Sequence, residues 1–233
     1  FYLKKLIFIK QILKGGVLYN TTDLFNPVSL IIVSKHEEFL IANVENGGYV
    51  GSNKAADMSR DIKLDAVTPK DKAAFEIGLS NGVKNFSLSF TNSADDVEQV
   101  RKIIGKDSNL ISKIESIKGV LNLGEILPLV DEILIDRGDL SRELPIEKIP
   151  FAQRRIISYS RSRGVPVYVA TNLLESMIKT NSPTRAEVND VASTLLMGAS
   201  GLVLAAETAV GAHPVGAVKM ANSLIKQCKK WTP

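Results

Sequence analysis

From residue 64 onward, short apolar runs alternate with longer amphipathic stretches. Apolar runs of strand length that alternate with segments of helical period are typical of an α/β protein with a parallel sheet and helical cover. The predicted strands are residues 84–90, 109–115, 132–136, 165–170 and 201–205. The predicted helices are residues 68–81, 93–104, 117–129, 150–163, 173–178, 184–197 and 214–230. Five such units could form an open doubly wound sheet or the later part of an eight-stranded barrel, and the pattern leaves both open.

Three of these helices begin with a recognisable capping sequence. Thr68 precedes Pro69, and proline is favoured at the first position of a helix. Ser93 is followed by an alanine and two aspartates, which again indicates a helix start. Thr184 is followed three residues later by Glu187, the spacing of a capping box.

The first 60 residues have a different pattern. Strand-like runs at residues 28–33 and 38–44 come before turn signals rich in glycine and asparagine. Residues 1–16 could be a strand or a helix, because their periodicity does not separate the two. We therefore divide the chain into a partial small β-rich domain with its return segment, residues 1–60, and a partial (β/α) domain, residues 61–233.

Charged residues stand where two neighbouring predicted strands end. Lys113 and Glu115 are two residues apart on one strand, so they share a face, and Asp139 lies just past the end of the next strand. The carboxyl ends of parallel strands meet at one edge, so we expect these groups to converge there. Two carboxylates that share a divalent ion such as Mg²⁺ should lie within about 5 Å of each other, and a lysine beside them suits a phosphate or an enolate. The alternative is that both acids merely cap the helices that follow.

The composition narrows the class of protein. The formal net charge is +4, but residues 1–16 carry four lysines and no acid, so the rest of the chain is balanced and has no basic stripe for nucleic acid. The single cysteine, Cys228, fits a reducing compartment, either the cytoplasm or an organelle interior. The apolar runs within residues 1–16 are too short for a membrane span. No glycine-rich nucleotide-binding loop follows any predicted strand.

Five sequence motifs follow one another in the order in which they occur in pyruvate kinases. They are Ile111-Ser-Lys-Ile-Glu115, Arg137-Gly-Asp-Leu140, Ala170-Thr-Asn-Leu-Leu-Glu-Ser-Met-Ile-Lys179, Pro183-Thr-Arg-Ala-Glu187 and Glu207-Thr-Ala209. The run from Val44 to Lys54 also resembles the segment of those enzymes that returns from a small β-domain to the barrel. Over residues 40–228 the chain therefore resembles the pyruvate kinase family.

The resemblance implies a fold and an activity. The fold would be the later part of a (β/α)8 TIM-type barrel, about five β/α units, with the remnant of a small inserted β-domain. The activity would be phosphoryl transfer between phosphoenolpyruvate and ADP, giving pyruvate and ATP, with Mg²⁺ or Mn²⁺ and K⁺ as cofactors. Five strands do not close a barrel, so we expect further chain, a second copy in a homo-oligomer or a partner subunit to pair the edge at residues 84–90.

The resemblance also assigns catalytic and metal-binding roles to four residues. Lys113 matches the lysine that stabilises the transferring phosphoryl group and the enolate. Thr171 matches a threonine near the proton that enolpyruvate gains. Glu115 and Asp139 match the ligands of the divalent metal.

Substrate binding is implied for three positions. Ser89, at the end of its strand, matches a serine of the substrate site. Gly138 and Asp139 match positions whose backbone N–H groups lie near the substrate. The potassium ligands and a substrate arginine of the family belong to earlier strands, and their motifs do not occur in this sequence.

Several positions depart from the family pattern. Asp136 stands where the family typically has alanine, directly before Arg-Gly-Asp. An acid that faces a phosphorylated substrate would weaken its binding by repulsion, whereas one turned to the helix side could meet an arginine there. The other departures are Thr91-Asn92, Ser141, Asn172 and Ala205-Ala206. A second interpretation therefore stands beside the enzyme: a non-catalytic pyruvate kinase-like subunit with a structural or assembly role.

Overall fold

The computed structural model of the chain describes residues 17–20, 28–37, 39–48, 57–58 and 64–231. The chain divides into two compact units between Asp65 and Ala66. Within the described ranges, no helix is both long and apolar enough to cross a membrane.

The described part of the first unit is an antiparallel sheet. Its strands are Val17–Asn20 (β1), Val28–Lys35 (β2), Leu40–Asn46 (β3) and Asp57–Met58 (β4), in the order β3-β2-β1-β4. The two strands predicted from the pattern correspond to β2, which ends two residues later than expected, and β3, which begins and ends two residues later than expected. Residues 1–16, and the part of the return segment from residue 49 to 54, lie outside the described residues. That this sheet is the remnant of an inserted domain, and that the domain ends at residue 60, remain predictions.

The second unit is built on a five-stranded parallel sheet. Its strands, in spatial order, are Asn85–Leu88 (β5), Asn109–Ile114 (β6), Glu132–Asp136 (β7), Val167–Ala170 (β8) and Gly201–Val203 (β9). Each strand pairs in parallel with the next one along the chain. The predicted alternation is therefore confirmed. Among the described residues β5 and β9 do not pair with each other, so the sheet is open, as five strands should be.

Helices follow each strand of this sheet. The α-helices are Pro69–Ser80 (α1), Ala94–Ile104 (α2), Ile117–Leu121 (α3), Leu123–Ile126 (α4), Arg137–Glu143 (α5), Ile149–Arg161 (α6), Arg185–Leu196 (α7), Ala206–Ala209 (α8) and Pro214–Trp231 (α9). Short 3₁₀ turns lie at Leu127–Leu129, Ile146–Lys148 and Glu175–Ile178. The capping sequences at Thr68, Ser93 and Thr184 all form reciprocal capping boxes, so these helix starts are confirmed.

Two predicted helices are wrong in detail. The single helix expected over residues 117–129 is divided into α3, α4 and a 3₁₀ turn. Asn122 interrupts it, because its side chain donates a 2.7 Å hydrogen bond to the carbonyl of Asn92, outside the helix. The helix expected over residues 173–178 is only the 3₁₀ turn Glu175–Ile178.

Three predicted strands are too long by two residues at one end. The strand after residue 84 ends at Leu88, and Phe90, two residues later, has φ of 49°, which is incompatible with an extended chain. The strand predicted from residue 165 begins at Val167, after Pro166, which has no N–H for the sheet. The last strand ends at Val203 rather than residue 205.

The main core lies between one face of the sheet and the helices. Alternate strand residues point into it, and they are Leu110, Ile114, Ile133, Ile135, Val167 and Val169. The intervening residues of β6 and β7, including Lys113 and Asp136, are only partly buried. The period of two thus directs apolar residues to the helices and leaves polar residues on the opposite face at the strand ends.

Candidate active site

The ends of β6 and β7 meet at the carboxyl edge of the parallel sheet. Lys113 of β6 pairs with Leu134 of β7, so the two strands end side by side. Glu115 follows β6 directly, Asp136 is the last residue of β7, and Asp139 lies in the first turn of α5. Carboxylate oxygens of these three acids all lie within 4.8 Å of one another. We call these three residues the acidic cluster.

The ammonium group of Lys113 lies within the acidic cluster. Its Nζ is 2.6 Å from Glu115 Oε1 and 3.5 Å from Asp136 Oδ2. It also donates a hydrogen bond of 3.5 Å to Ser89 Oγ. Partial burial lowers the pKa of Lys113, but the contact with Glu115 and the charges of Asp136 and Asp139 outweigh it and hold the pKa above its ordinary value. The lysine is therefore a fixed positive charge at neutral pH.

Glu115 is buried at the base of the cluster. The residue is 1 % exposed, and its Oε2 accepts a 2.6 Å hydrogen bond from the backbone N–H of Phe90. Burial raises the pKa of Glu115, and the contacts with Lys113 and the Phe90 N–H offset this only in part. Apart from the ion pair with Lys113, Oε1 has no hydrogen-bond partner among the described residues. This buried oxygen therefore depends on a nearby cation for its stabilisation.

Asp139 is held by its own helix. Arg142 Nη1 donates a hydrogen bond of 2.9 Å to Asp139 Oδ1, one turn along α5. Within the described part of the chain, two cations, Lys113 and Arg142, form ion pairs with the three carboxylates of the acidic cluster, which leaves one excess negative charge. A set of carboxylate oxygens with excess negative charge fits a hard divalent cation such as Mg²⁺ or Mn²⁺.

Thr171 connects the end of β8 to the same edge. Its Oγ1 accepts a 2.8 Å hydrogen bond from the backbone N–H of Gly138. The same hydroxyl lies 3.2 Å from Asp136 Oδ1 and 2.6 Å from its neighbour's carbonyl, that of Ala170. A hydroxyl has a single proton, so it donates to one of these two acceptors at a time. Thr171 therefore joins the acidic cluster to the start of α5.

The backbone is strained beside this edge. Among the described residues, the non-glycine positions with positive φ are Phe90 at 49°, Thr171 at 67° and Asn172 at 51°. All three lie within two residues of the carboxyl end of a strand. A positive φ is especially unfavourable for a β-branched residue such as Thr171. Strain of this kind persists only where surrounding contacts fix it, and it concentrates at functional sites.

Arg137 supplies the contacts that fix the loop after β8. Its guanidinium donates to the carbonyl of Thr171 at 3.1 and 2.7 Å and to that of Asn172 at 3.0 Å. It also forms an ion pair of 2.6 Å with Asp190 of α7. The sequence assigned no role to Arg137. The available signal was an arginine directly after a buried strand, because a fork-shaped guanidinium at that place can donate hydrogen bonds to several acceptors.

Glu207 is a second buried residue without a predicted role. It is 2 % exposed, and its two oxygens accept hydrogen bonds from Leu174 N at 3.0 Å and Ala205 N at 2.8 Å. It therefore joins the loop after β8 to the loop after β9. Its place in a motif directly after a strand was the only sequence signal.

The residues singled out from the sequence come together at this edge. Lys113, Glu115 and Asp139 converge within the expected distance. Ser89 contacts Lys113, and the Gly138 N–H is directed to the Thr171 hydroxyl. Their roles in catalysis and in substrate or metal binding remain predictions.

Asp136 had two possible directions in the sequence: towards a phosphorylated substrate, or towards an arginine on the helix side. In the structure it points to Lys113 and Thr171, on the side of the candidate site. It thereby adds a third acid to the predicted pair of carboxylates. The direction follows from the period of β7, in which Asp136 shares the face of Leu134 and not that of the buried Ile135.

The fold and the site together define an α/β protein of the (β/α)-barrel class, present as part of a barrel, with a lysine and an acidic cluster at the strand ends. Residues 3–218 match the family model described as "Pyruvate kinase, barrel domain". The chain therefore belongs to the pyruvate kinase family.

Individual relatives agree with this assignment. The chain is 40% identical to a pyruvate kinase of Thermotoga maritima over 192 residues, which are 80% of this chain and 41% of that protein. It is 39% identical to a pyruvate kinase of Dictyostelium discoideum over 206 residues, 87% of this chain and 41% of that protein. It is 38% identical to the Homo sapiens protein "Pyruvate kinase PKLR" over 219 residues, 92% of this chain and 38% of that protein. The chain thus spans about two fifths of the length of the curated relatives it matches.

Proposed function

We propose that this chain carries the phosphoryl-transfer part of a pyruvate kinase active site, which converts phosphoenolpyruvate and ADP to pyruvate and ATP. One observation supports this above the others: Lys113 lies within the acidic cluster at the carboxyl edge of the sheet. Active sites of (β/α) barrels are built at that edge. The membership of the chain in the pyruvate kinase family supplies the substrate class.

Lys113 is the residue to which we assign charge stabilisation. In the proposed reaction the phosphoryl group leaves the enol oxygen of phosphoenolpyruvate and joins a terminal phosphate oxygen of ADP. Negative charge is spread over the transferring group and the enolate oxygen that remains. An ammonium that is already held by carboxylates and by Ser89 stabilises such charge without reorganising.

Thr171 is the residue to which we assign the last step. The enolate takes a proton at its methylene carbon and becomes pyruvate, and we assign to the Thr171 hydroxyl the positioning of that proton. This assignment is supported by the hydrogen bonds of Oγ1 to Gly138 and Asp136, which fix the hydroxyl beside the acidic cluster. Ser89, Gly138 and Asp139 would contact the phosphorylated substrate.

Glu115 and Asp139 are the residues that would hold a divalent cation. Their carboxylates belong to a group of three within 4.8 Å, an all-oxygen donor set suited to Mg²⁺ or Mn²⁺. When bound, such an ion offsets the charge of the phosphate oxygens. K⁺ is implied by the family resemblance alone, and we assign no residue of this chain to it.

The test replaces Lys113 by methionine, which keeps a long side chain and removes the charge. Formation of ATP and pyruvate from phosphoenolpyruvate and ADP is measured with Mg²⁺ and K⁺ present. We expect kcat to fall by about 10²–10³-fold, the usual cost of removing one group that stabilises transition-state charge. Lys102→Met, on the exposed side of α2, is the matched control and should retain the activity.

Two results would contradict the proposal. An unmodified protein that forms no ATP from these substrates would favour the non-catalytic subunit instead. Equal kcat values for the Lys113→Met and Lys102→Met variants would show that the lysine of the cluster takes no part in the reaction.

A further inference from the structure

Asp136 occupies the centre of the candidate active site. It lies at the end of β7 between the neighbouring strand ends, and 14% of its side chain is exposed. One oxygen, Oδ2, is 3.5 Å from Lys113 Nζ, and the other, Oδ1, is 3.2 Å from Thr171 Oγ1. A single carboxylate thus contacts both side chains to which the proposed function assigns chemistry.

The contacts of Asp136 compete with those that a substrate needs. An ammonium that is shared between Glu115 and Asp136 has less of its charge available for an incoming phosphate. The Thr171 proton has two acceptors in the structure, the carbonyl of Ala170 and the Asp136 carboxylate. An added negative charge in the cluster also repels an anionic substrate and attracts a metal cation, so its effects on the two have opposite signs.

We propose that Asp136 is a positioning residue that sets the balance of the site between phosphorylated substrate and divalent cation. It holds the Lys113 ammonium and the Thr171 hydroxyl toward β7, weakens the binding of phosphoenolpyruvate and strengthens the binding of the metal. This inference rests on the proposed function, because it takes phosphoenolpyruvate as the anionic substrate.

The test compares Asp136→Ala and Asp136→Asn with the unmodified protein in two titrations. Mn²⁺ alone is titrated first, and free Mn²⁺ is followed by electron paramagnetic resonance. Phosphoenolpyruvate is then titrated at saturating Mg²⁺ by calorimetry. We expect both variants to bind phosphoenolpyruvate about 10- to 100-fold more tightly, since a like charge has been removed. We expect both to bind Mn²⁺ about tenfold more weakly.

The affinities for phosphoenolpyruvate and Mn²⁺ are expected to change in opposite directions, which distinguishes this role from a structural one. A variant that has merely lost its fold would bind both ligands more weakly. Asparagine keeps the size of the side chain and an oxygen that can accept a hydrogen bond from Thr171. If both variants change the affinities for phosphoenolpyruvate and Mn²⁺ equally, the charge of Asp136 sets the balance between the two ligands.

Glu132→Gln is the matched control. Glu132 lies on the same strand and the same face as Asp136, four residues away, or about 13 Å along an extended chain. Its oxygens lie near Asn109 and Tyr168 instead of the acidic cluster. Removal of this charge should change neither titration by more than about twofold, because charges at that distance are largely screened at ordinary salt.

The outcomes distinguish the inference from the proposed function. If the unmodified protein binds both ligands and the Asp136 variants bind them equally well, the inference is overturned and the proposed function stands. If neither the unmodified protein nor the variants bind phosphoenolpyruvate, the proposed function is overturned and this inference with it. Binding of phosphoenolpyruvate by the variants alone supports the inference and counts against phosphoryl transfer by the unmodified protein.

Discussion

At the scale of single residues, buried acids fix the loops around the candidate site, because they accept hydrogen bonds from the backbone of those loops. Glu115 accepts from the backbone of Phe90, and Glu207 accepts from the backbone of both Leu174 and Ala205. A buried carboxylate with such partners satisfies donors that water cannot reach. Each of these acids therefore contributes to stability as well as to the shape of the strand-end edge.

Glu207→Ala tests this contribution. The change leaves two backbone N–H groups without their acceptors in a buried place, and each costs about 1–3 kcal/mol. We expect the free energy of unfolding to fall by about 2–4 kcal/mol, measured by urea denaturation with an unchanged m-value. Glu147→Ala is the control, because Glu147 is exposed and its removal should cost less than about 0.5 kcal/mol. Equal losses in both variants would contradict the role of Glu207.

At the scale of elements, the start of α7 is joined to the turn that precedes it. Glu187 forms the capping box with Thr184. Its carboxylate also accepts from the backbone and the hydroxyl of Ser176, at 2.7 and 2.6 Å, in the 3₁₀ turn Glu175–Ile178. Partial burial raises the pKa of Glu187, but these hydrogen bonds from Ser176 and Thr184 outweigh it, so the pKa lies below its ordinary value of 4.5.

The pH dependence of stability follows from this shift. A carboxylate whose pKa is depressed in the folded state stabilises the protein above its unfolded-state pKa and loses that effect as the pH falls through the folded-state pKa. We expect Glu187→Ala to lower the free energy of unfolding by about 1 kcal/mol at neutral pH, as the loss of a helix cap does. This loss should become progressively smaller as the pH is lowered below 4.5. Thermal or urea unfolding between neutral pH and acid measures the difference between the two proteins.

A matched surface acid serves as the control for this measurement. Glu98 is exposed on α2, and Glu98→Ala should change stability little at any pH. If Glu187→Ala lowers the free energy of unfolding by the same amount from neutral pH to acid, the carboxylate of Glu187 contributes no more to stability than a neutral side chain.

At the scale of the whole molecule, the five-stranded sheet has two unpaired edges. β5 lies at one edge and β9 at the other, and no described strand pairs with either on its outer side. Edge strands with free N–H and C=O groups readily pair with another chain unless they are short, charged or covered. The open sheet therefore predicts association, either with more of a barrel or with a second copy.

Ser87→Lys tests whether the β5 edge takes part. Ser87 is exposed on β5, and a lysine at an edge opposes pairing with a further strand. We expect the purified chain to self-associate in sedimentation velocity over a concentration series, and Ser87→Lys to shift it toward the monomer. Ser223→Lys adds the same charge on the exposed face of α9 and should leave the distribution unchanged. A chain that stays monomeric throughout would contradict the prediction.

The sequence by itself determined the order of strands and helices, the capped helix starts at Thr68, Ser93 and Thr184, and the convergence of Lys113, Glu115 and Asp139. These features depend on local patterns: side-chain period, hydrogen bonds between residues three apart, and the rule that parallel strands end at one edge. Residues close in the chain carry that information. The break in the helix at Asn122 was missed, because it depends on a contact with Asn92, which is distant in the chain.

Only the tertiary structure decided which side chains complete the site. Arg137 meets Thr171 and Asp190, which are 34 and 53 residues away, and Glu207 meets Leu174, 33 residues away. The direction of Asp136 was open in the sequence, because either neighbouring strand end or a helix could have offered a partner. The packing of β6, β7 and β8 side by side decided it, since their register brings Lys113 and Thr171 to the two sides of its carboxylate.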